Sequence, residues 1–313
     1  MPSAPTASVI VPSRGGAERL PTLFSSLVDQ TTSDWEAIVV LDGDIDSSAF
    51  VVESWTDRIP VRSIVFSENR GRAAALNAGF AAATGEVLIR CDDDLRPLPE
   101  YIESHVKRHT AGPVGVVGLC RNHFPPTPYA RVYGEPADVN FRRDAYAAPP
   151  AQRWRYWAGN VSTTRQVHDL VGEYDTGFRA YGWEDVDWGH RLHALGLPVT
   201  LAPELETPHH VAATTTVGRT QRAYYSGAAR IRFEEKHGAD VLSPATTRAG
   251  LWDRAVRISA ARMTEDRLAH VSAFVDRGLP RVPAPLGQKA VALLVESAAL
   301  AGHCSSGDTR HAI

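Results

Sequence analysis

Cysteine is scarce in this chain. Three residues, Cys91, Cys120 and Cys304, stand among 313, too few and too widely spaced for a disulfide framework or a Cys-rich metal site. A reducing, cytoplasmic setting is the simplest expectation, with peripheral contact to a membrane as its variant. A charge excess is also missing. The 33 basic and 36 acidic residues leave a formal net charge of −3, so nothing global points to nucleic acid or to a solvating acidic tail. No stretch of 18 uninterrupted apolar residues occurs, and a membrane-spanning helix is not expected. Residues 287–303 contain Lys289 and Glu296 and read as a C-terminal helix packed on the body. Residues 1–7 have neither the positive start nor the apolar core of a signal peptide. Internal repeats and low-complexity linkers are absent too.

What remains is ordinary globular material, 43% hydrophobic and 22% charged, which excludes a disordered or fibrous chain. Short apolar runs alternate with helix-spaced segments. Strands are expected at Ser8–Pro12, Trp35–Leu41, Val61–Phe66, Glu86–Arg90 and Val114–Leu119. Helices are expected from Leu20 to Val28, Ala73 to Ala83 and Pro97 to Arg108. That order implies an α/β fold with a mainly parallel sheet and helices on both faces. Ligands in such sheets bind beyond the carboxyl ends of the strands. The residues placed there are Pro12-Ser13-Arg14, Asp42-Gly43-Asp44 and Asp92-Asp93-Asp94.

Beyond residue 120 the pattern weakens. Asn122–Pro150 is rich in Pro, Arg and aromatics, without a clear period, and reads as a long excursion near the site. Regular structure returns at Ala158–Ser162, with helices from Arg165 and over Glu184–Leu195 and a strand at Pro198–Leu201. Residues 216–275 look helical.

Several segments carry chemistry. Three adjacent carboxylates at 92–94 repel unless neutralised. They suit a hard divalent cation that also binds phosphate, Mg²⁺ or Mn²⁺; the plainer reading is a solvated turn before a helix. Asp42 could accept bonds from a ribose or a base, or simply close an Asp-Gly turn. Glu184 and Asp185 open a helix, where carboxylates are favoured anyway. However, they lie between Trp183 and Trp188 after Tyr181-Gly182. Aromatic rings offer flat faces to sugars, and a carboxylate beside them can deprotonate a hydroxyl. His209-His210 is either a source of a metal ligand or a structural pair.

These pieces resemble, in order, a family-2 glycosyltransferase of the GT-A fold. The resemblance runs from about Ser8 to His210. Ser8-Val-Ile-Val-Pro12 resembles the opening strand and Val39-Val-Leu-Asp42-Gly43 the Val-Val-Asp-Asp-Gly turn, with Leu41 replacing the first acid. Asn69-Arg-Gly71 with Ala74, Asn77 and Gly79 resembles the Asn-x-Gly…Ala-x-Asn-x-Gly stretch. Asp92-Asp93-Asp94 resembles the Asp-x-Asp motif. Gly159-Asn160, Val171-Gly172-Glu-Tyr-Asp175, and Trp183-Glu184-Asp185 with Arg191-Leu192 resemble the acceptor-side segments.

The resemblance implies inverting transfer from a nucleotide-sugar donor, a UDP-sugar by preference, with Mn²⁺ or Mg²⁺. It implies Asp185 as general base and a donor-binding set of Pro12, Arg14, Asp42, Arg72, Asn77, Asp92 and Asp93. Asp92, Asp94 and one of His209 and His210 are implied as metal ligands. Gly159, Asn160, Trp183 and Glu184 are implied on the acceptor side. The acceptor is a carbohydrate, a lipid-linked glycan or a natural product. Residues 1–212 form the catalytic domain on this reading, with a nucleotide-binding half at 1–120 and an acceptor-binding half at 121–212. Residues 213–313 form a helical extension, a route to homo-oligomers. The alternatives are a sugar-phosphate nucleotidyltransferase, for which Pro12–Gly16 is a thin version of the Gly-rich loop, and a non-catalytic sugar-binding module.

Overall fold

The first apolar run forms β1 (Ala7–Ser13), buried along its whole length. Its alternate residues serve opposite layers. Val9 and Val11 pack with the buried residues of α1 (Leu20–Val28). Ile10 turns to the other face, against Gly79 of α3 (Arg72–Ala82). Burial on both faces is why the strand reads as continuously apolar.

The computed structural model describes residues 4–179, 182–210, 212–242 and 250–308; Tyr181 lies outside them. β1 pairs in parallel with β2 (Trp35–Leu41) and β4 (Val87–Cys91), and β2 with β3 (Val61–Val65). A short α2 (Ser48–Glu53), too brief to show a period, lies between β2 and β3 in sequence. α4 (Tyr101–Arg108) follows β4, and a fourth parallel pair joins β5 (Gly115–Val117) to β8 (Val199–Leu201). The seven-stranded order is β3-β2-β1-β4-β7-β5-β8. This is the mainly parallel, helix-flanked sheet expected.

One strand runs the other way. β7 (Asn160–Thr164) is antiparallel to both β4 and β5. Cys91 therefore faces Asn160 across the ladder, and the start of β7 lies at the edge where β4 ends. A separate two-stranded sheet joins β6 (Cys120–Asn122) to β9 (Thr207–His209), with Asn122 opposite His209.

The stretch expected to be irregular contains α5 (Glu135–Tyr146). Its period is masked because Asp138 is buried while Val139 and Phe141 are exposed, the reverse of an amphipathic pattern. α6 (Arg165–Val171) and α7 (Trp183–Ala194) follow.

The described residues form two units. One comprises 4–123, 142–179 and 184–210, with the seven-stranded sheet. The other comprises 124–141, 182–183, and the described part of 212–308. Residues 124–141, assigned from sequence to the acceptor-binding half, thus group with the C-terminal helices. Those are α8 (Thr216–His237), α9 (Leu251–Ala260), α10 (Glu265–Gly278) and α11 (Ala284–Asp308). No described helix is long and apolar enough to cross a membrane.

Candidate active site

The three carboxylates after β4 take three different partners. Asp92 receives Arg90 at two points, Nε to Oδ1 at 2.9 Å and Nη2 to Oδ2 at 3.2 Å. Asp93 is buried and receives Arg19 in the same forked manner, at 2.9 and 2.7 Å, with the Ser13 hydroxyl added. Asp94 Oδ2 meets His209 Nε2 at 3.0 Å. Two guanidiniums thus relieve the repulsion at Asp92 and Asp93. Burial lifts the Asp93 carboxyl above its usual range despite Arg19. Burial acts on Asp92 in the same sense, but Arg90 and Arg72 prevail and hold it below.

Asp92 approaches the start of β7 closely. Its amide donates to Gly159 O at 2.9 Å, and a Cβ on residue 159 would lie 2.3 Å from Asp92 Oδ2. Only glycine leaves room for that carboxylate.

Arg90 connects the acidic turn to α7. It lies in an otherwise apolar strand and is wholly buried. While its Nε and Nη2 hold Asp92, its Nη1 donates to Asp185 Oδ1. Burial, outweighing the pull of Arg90, pushes the Asp185 carboxyl up to about 7, and Glu184 adds to the rise. Glu184 is 2% exposed. Its Oε1 accepts from Arg72 Nη1 at 3.3 Å, and its buried Oε2 has no partner. Successive helix residues diverge by ~100°, and here the two carboxylates use that divergence to reach two different arginines.

His209 is fixed from two sides. Its backbone bridges to Leu95 beside Asp94 and pairs with Asn122 in β6. Its ring Nδ1 lies 2.6 Å from Asn122 Oδ1. When Nδ1–H donates to that amide oxygen, the neutral ring turns the Nε2 lone pair onto Asp94, and a cation or a proton must lie between them. An oxygen and a nitrogen 3.0 Å apart match adjacent corners of an octahedron with bonds of ~2.1 Å. The pair fits a hard divalent cation. His210 differs: its ring lies 4.9 Å from that of His123 and its amide donates to Asp94 O. Among the described residues, no three His, Cys, Asp or Glu side chains gather as ligands. Of the expected ligands Asp92, Asp94, His209 and His210, the structure brings Asp94 and His209 together, while Asp92 is bonded by Arg90.

Residues 8–173 match the family model described as glycosyl transferase family 2. The chain belongs to that family. It is 31% identical over 238 residues to validoxylamine A glucosyltransferase of Streptomyces hygroscopicus subsp. jinggangensis, covering 66% of this chain and 56% of that protein. It is 31% identical over 179 residues to the undecaprenyl-phosphate 4-deoxy-4-formamido-L-arabinose transferase of Pseudomonas fluorescens, covering 56% and 46%. The chain spans about half the length of these curated relatives. The fold resembles that of the mannosyltransferase PcManGT from Pyrobaculum calidifontis, solved with GDP-Man and Mn²⁺. The TM-score is 0.62 at 19% identity, over 96% of this chain and 88% of that one. S. aureus TarS 1-349 in complex with UDP gives a TM-score of 0.56 at 13% identity, over 98% and 92%. The fold is GT-A.

Within this family 2 chain, the other residues expected at the site have partners of their own. Asn77 binds Tyr174 with both ends of its amide, at 2.9 and 2.8 Å. Asn160 is buried, accepting from Tyr101 at 3.0 Å and donating to Leu205 O at 2.9 Å. Asp42 accepts from the amides of Arg70 and Gly71 at 2.6 and 2.9 Å, so it ties down the loop before α3. Arg14 donates to Asp42 O at 2.6 Å, and Pro12 is buried in β1 opposite Val40. Trp188 offers no face to a sugar: it is 1% exposed, stacked on Trp157 at 4.7 Å. Trp183 bonds Ser226 O through its indole N–H at 2.6 Å and tilts against Phe233.

Arg90 and Arg19 are absent from the sequence-derived set. For Arg90 a signal existed, a lone cation in the apolar run Val87–Cys91, two residues before the triplet. Arg19 carried no signal, since its meeting with Asp93 spans 74 positions.

Proposed function

We propose that this chain transfers a sugar from a nucleoside-diphosphate sugar to an acceptor hydroxyl with inversion at the anomeric carbon, using Asp185 as base. The observation that carries the reading is Arg90, whose one guanidinium holds both Asp92 and Asp185. On this reading Asp92 is the donor-side carboxylate and Asp185, which burial lifts to about 7, the base, and both are bonded to one buried cation.

Asp94 and His209 would hold Mn²⁺ or Mg²⁺, which supplies positive charge to the departing diphosphate. Asp92, held ionised by Arg90, faces the donor sugar or its ribose. Asp42 and the 69–71 loop it anchors border the nucleoside. Glu184 Oε2, buried without a partner, accepts a hydrogen bond from the acceptor. Asp185 takes the proton as the acceptor oxygen bonds to the anomeric carbon. Arg90 keeps its carboxylate aimed and compensates its charge in a dry site. A UDP-sugar is the first donor to test. The relatives' names point to small-molecule and lipid-phosphate acceptors, and both belong in the screen.

The test is release of free nucleoside diphosphate from a donor panel, with and without EDTA. Expected is release that EDTA abolishes and Mn²⁺ or Mg²⁺ restores, with an inverted product. Pyrophosphate release in place of nucleoside diphosphate would instead identify a nucleotidyltransferase. Binding without turnover across the panel would identify a sugar-binding module.

A further inference from the structure

The second unit carries a surface with a different chemistry. Sixteen large apolar side chains are exposed among the described residues, and six of them fall within 251–286. They are Leu251 (87% exposed), Ile258, Val271, Phe274 (73%), Val282 and Leu286. Scattered apolar residues on a surface are ordinary, but the four on α9 and α10 follow a pattern. On α9, Leu251, Arg254 and Ile258 lie at i, i+3 and i+7, one outward stripe, while Val256 and Ala260 are buried, and Arg262 is exposed in the turn that follows. On α10, Arg267, Val271 and Phe274 with Arg277 form the outward stripe, while Leu268 and Ser272 are buried. Each stripe alternates bulky apolar groups with guanidiniums.

The acids on these helices are mostly committed. Asp253 pairs with Arg257 at 2.9 Å. Asp276 accepts from the amides that open α8, and Glu265 accepts from the Tyr225 hydroxyl. The arginines are not. Among the described residues, no carboxylate pairs with Arg254, Arg262, Arg267, Arg277 or Arg281. Arg262, Arg267 and Arg281 reach only backbone carbonyls.

We propose that the outward faces of α9 and α10 dock on an anionic lipid surface. Exposed Leu, Ile and Phe supply groups that leave water at the acyl boundary, and unpaired guanidiniums supply charge for phosphate headgroups. A duplex nucleic acid would use the arginines and leave the apolar residues in water. A second copy of the chain would bring like charges together.

The experiment is co-sedimentation of the full chain with vesicles of neutral phosphatidylcholine and of phosphatidylcholine with phosphatidylglycerol. Chromatography with light scattering and binding to duplex DNA run in parallel. Expected is a monomer that sediments with the anionic vesicles, weakly or not at all with the neutral ones, and is released by high salt. Phe274→Ser should lower partitioning ~10-fold, and each of Arg254→Gln, Arg262→Gln and Arg267→Gln should lower it ~5-fold, all with unchanged circular dichroism. Failure to sediment with anionic vesicles overturns the proposal. So does equal partitioning of wild type and Phe274→Ser, or DNA binding tighter than vesicle binding. An oligomer that Phe274→Ser dissociates assigns the face to self-association and overturns it as well.

Discussion

Arginine is used in opposite ways in the two units. In the sheet unit, Arg90 is wholly buried and makes a forked contact to Asp92 and a further one to Asp185. On α9 and α10, Arg254 and Arg267 are exposed and have no carboxylate partner among the described residues. A buried guanidinium is stable only with its charge matched, so it fixes the position of whatever matches it. An exposed one is hydrated, fixes nothing, and remains available to a partner. Burial together with pairing marks a positioning group, whereas exposure without pairing marks a recruiting one.

The sharpest way to break this contrast is at the carboxylate that Arg90 holds. Asp185→Asn keeps shape and should lower kcat by ~10²-fold or more with little change in donor KM; Glu184→Gln should cost less. A near-normal kcat for Asp185→Asn would refute its role as base. The wild-type enzyme should show kcat rising as pH climbs through about 7, the value to which burial lifts Asp185, since the base acts deprotonated. A flat profile from pH 5 to 9 contradicts it.

Arg90→Gln comes next. Removing one member of a buried ionic group typically costs ~3–5 kcal/mol, so a markedly lower melting temperature is expected. Arg90→Lys should recover stability better than activity, because an ammonium cannot fork onto Asp92 and still reach Asp185. Equal recovery of both would reduce Arg90 to a core ion.

His209→Ala should weaken the metal's apparent affinity and lower activity severely, while His210→Ala is mild, measured by Mn²⁺ titration of turnover. Equal, mild effects would make the pair structural. The smallest effect is expected at the exposed end of the comparison. Arg267→Gln should leave stability within ~0.5 kcal/mol and turnover on a water-soluble acceptor unchanged. A larger loss would show that this arginine is paired after all.

The local code of the sheet unit was legible because local rules govern it. The run Trp35–Leu41 coincides with β2, and Leu20–Val28 with α1. Acidic turns after β2 and β4 follow from where parallel strands end. α5 was not legible, since its buried face carries Asp138 and its exposed face Phe141. For Trp188, sequence shows an aromatic ring but not how far it is covered, and it is buried, stacked against Trp157 and Tyr174.

By itself, then, the order of residues determined the alternation of strands and helices, the edge at which polar turns collect, and the family. Those depend on periodicity and on short motifs, which act over a few residues. Tertiary structure decided the pairings: Arg19 with Asp93, His209 with Asp94 across 115 positions, and Arg90 between Asp92 and Asp185. The first depends on the parallel β1–β4 pairing, the second on the small β6–β9 sheet, and the third on the position of α7 beside β4. Charges find partners through space, and in a buried site the partner sets both the ionisation and the direction of the group.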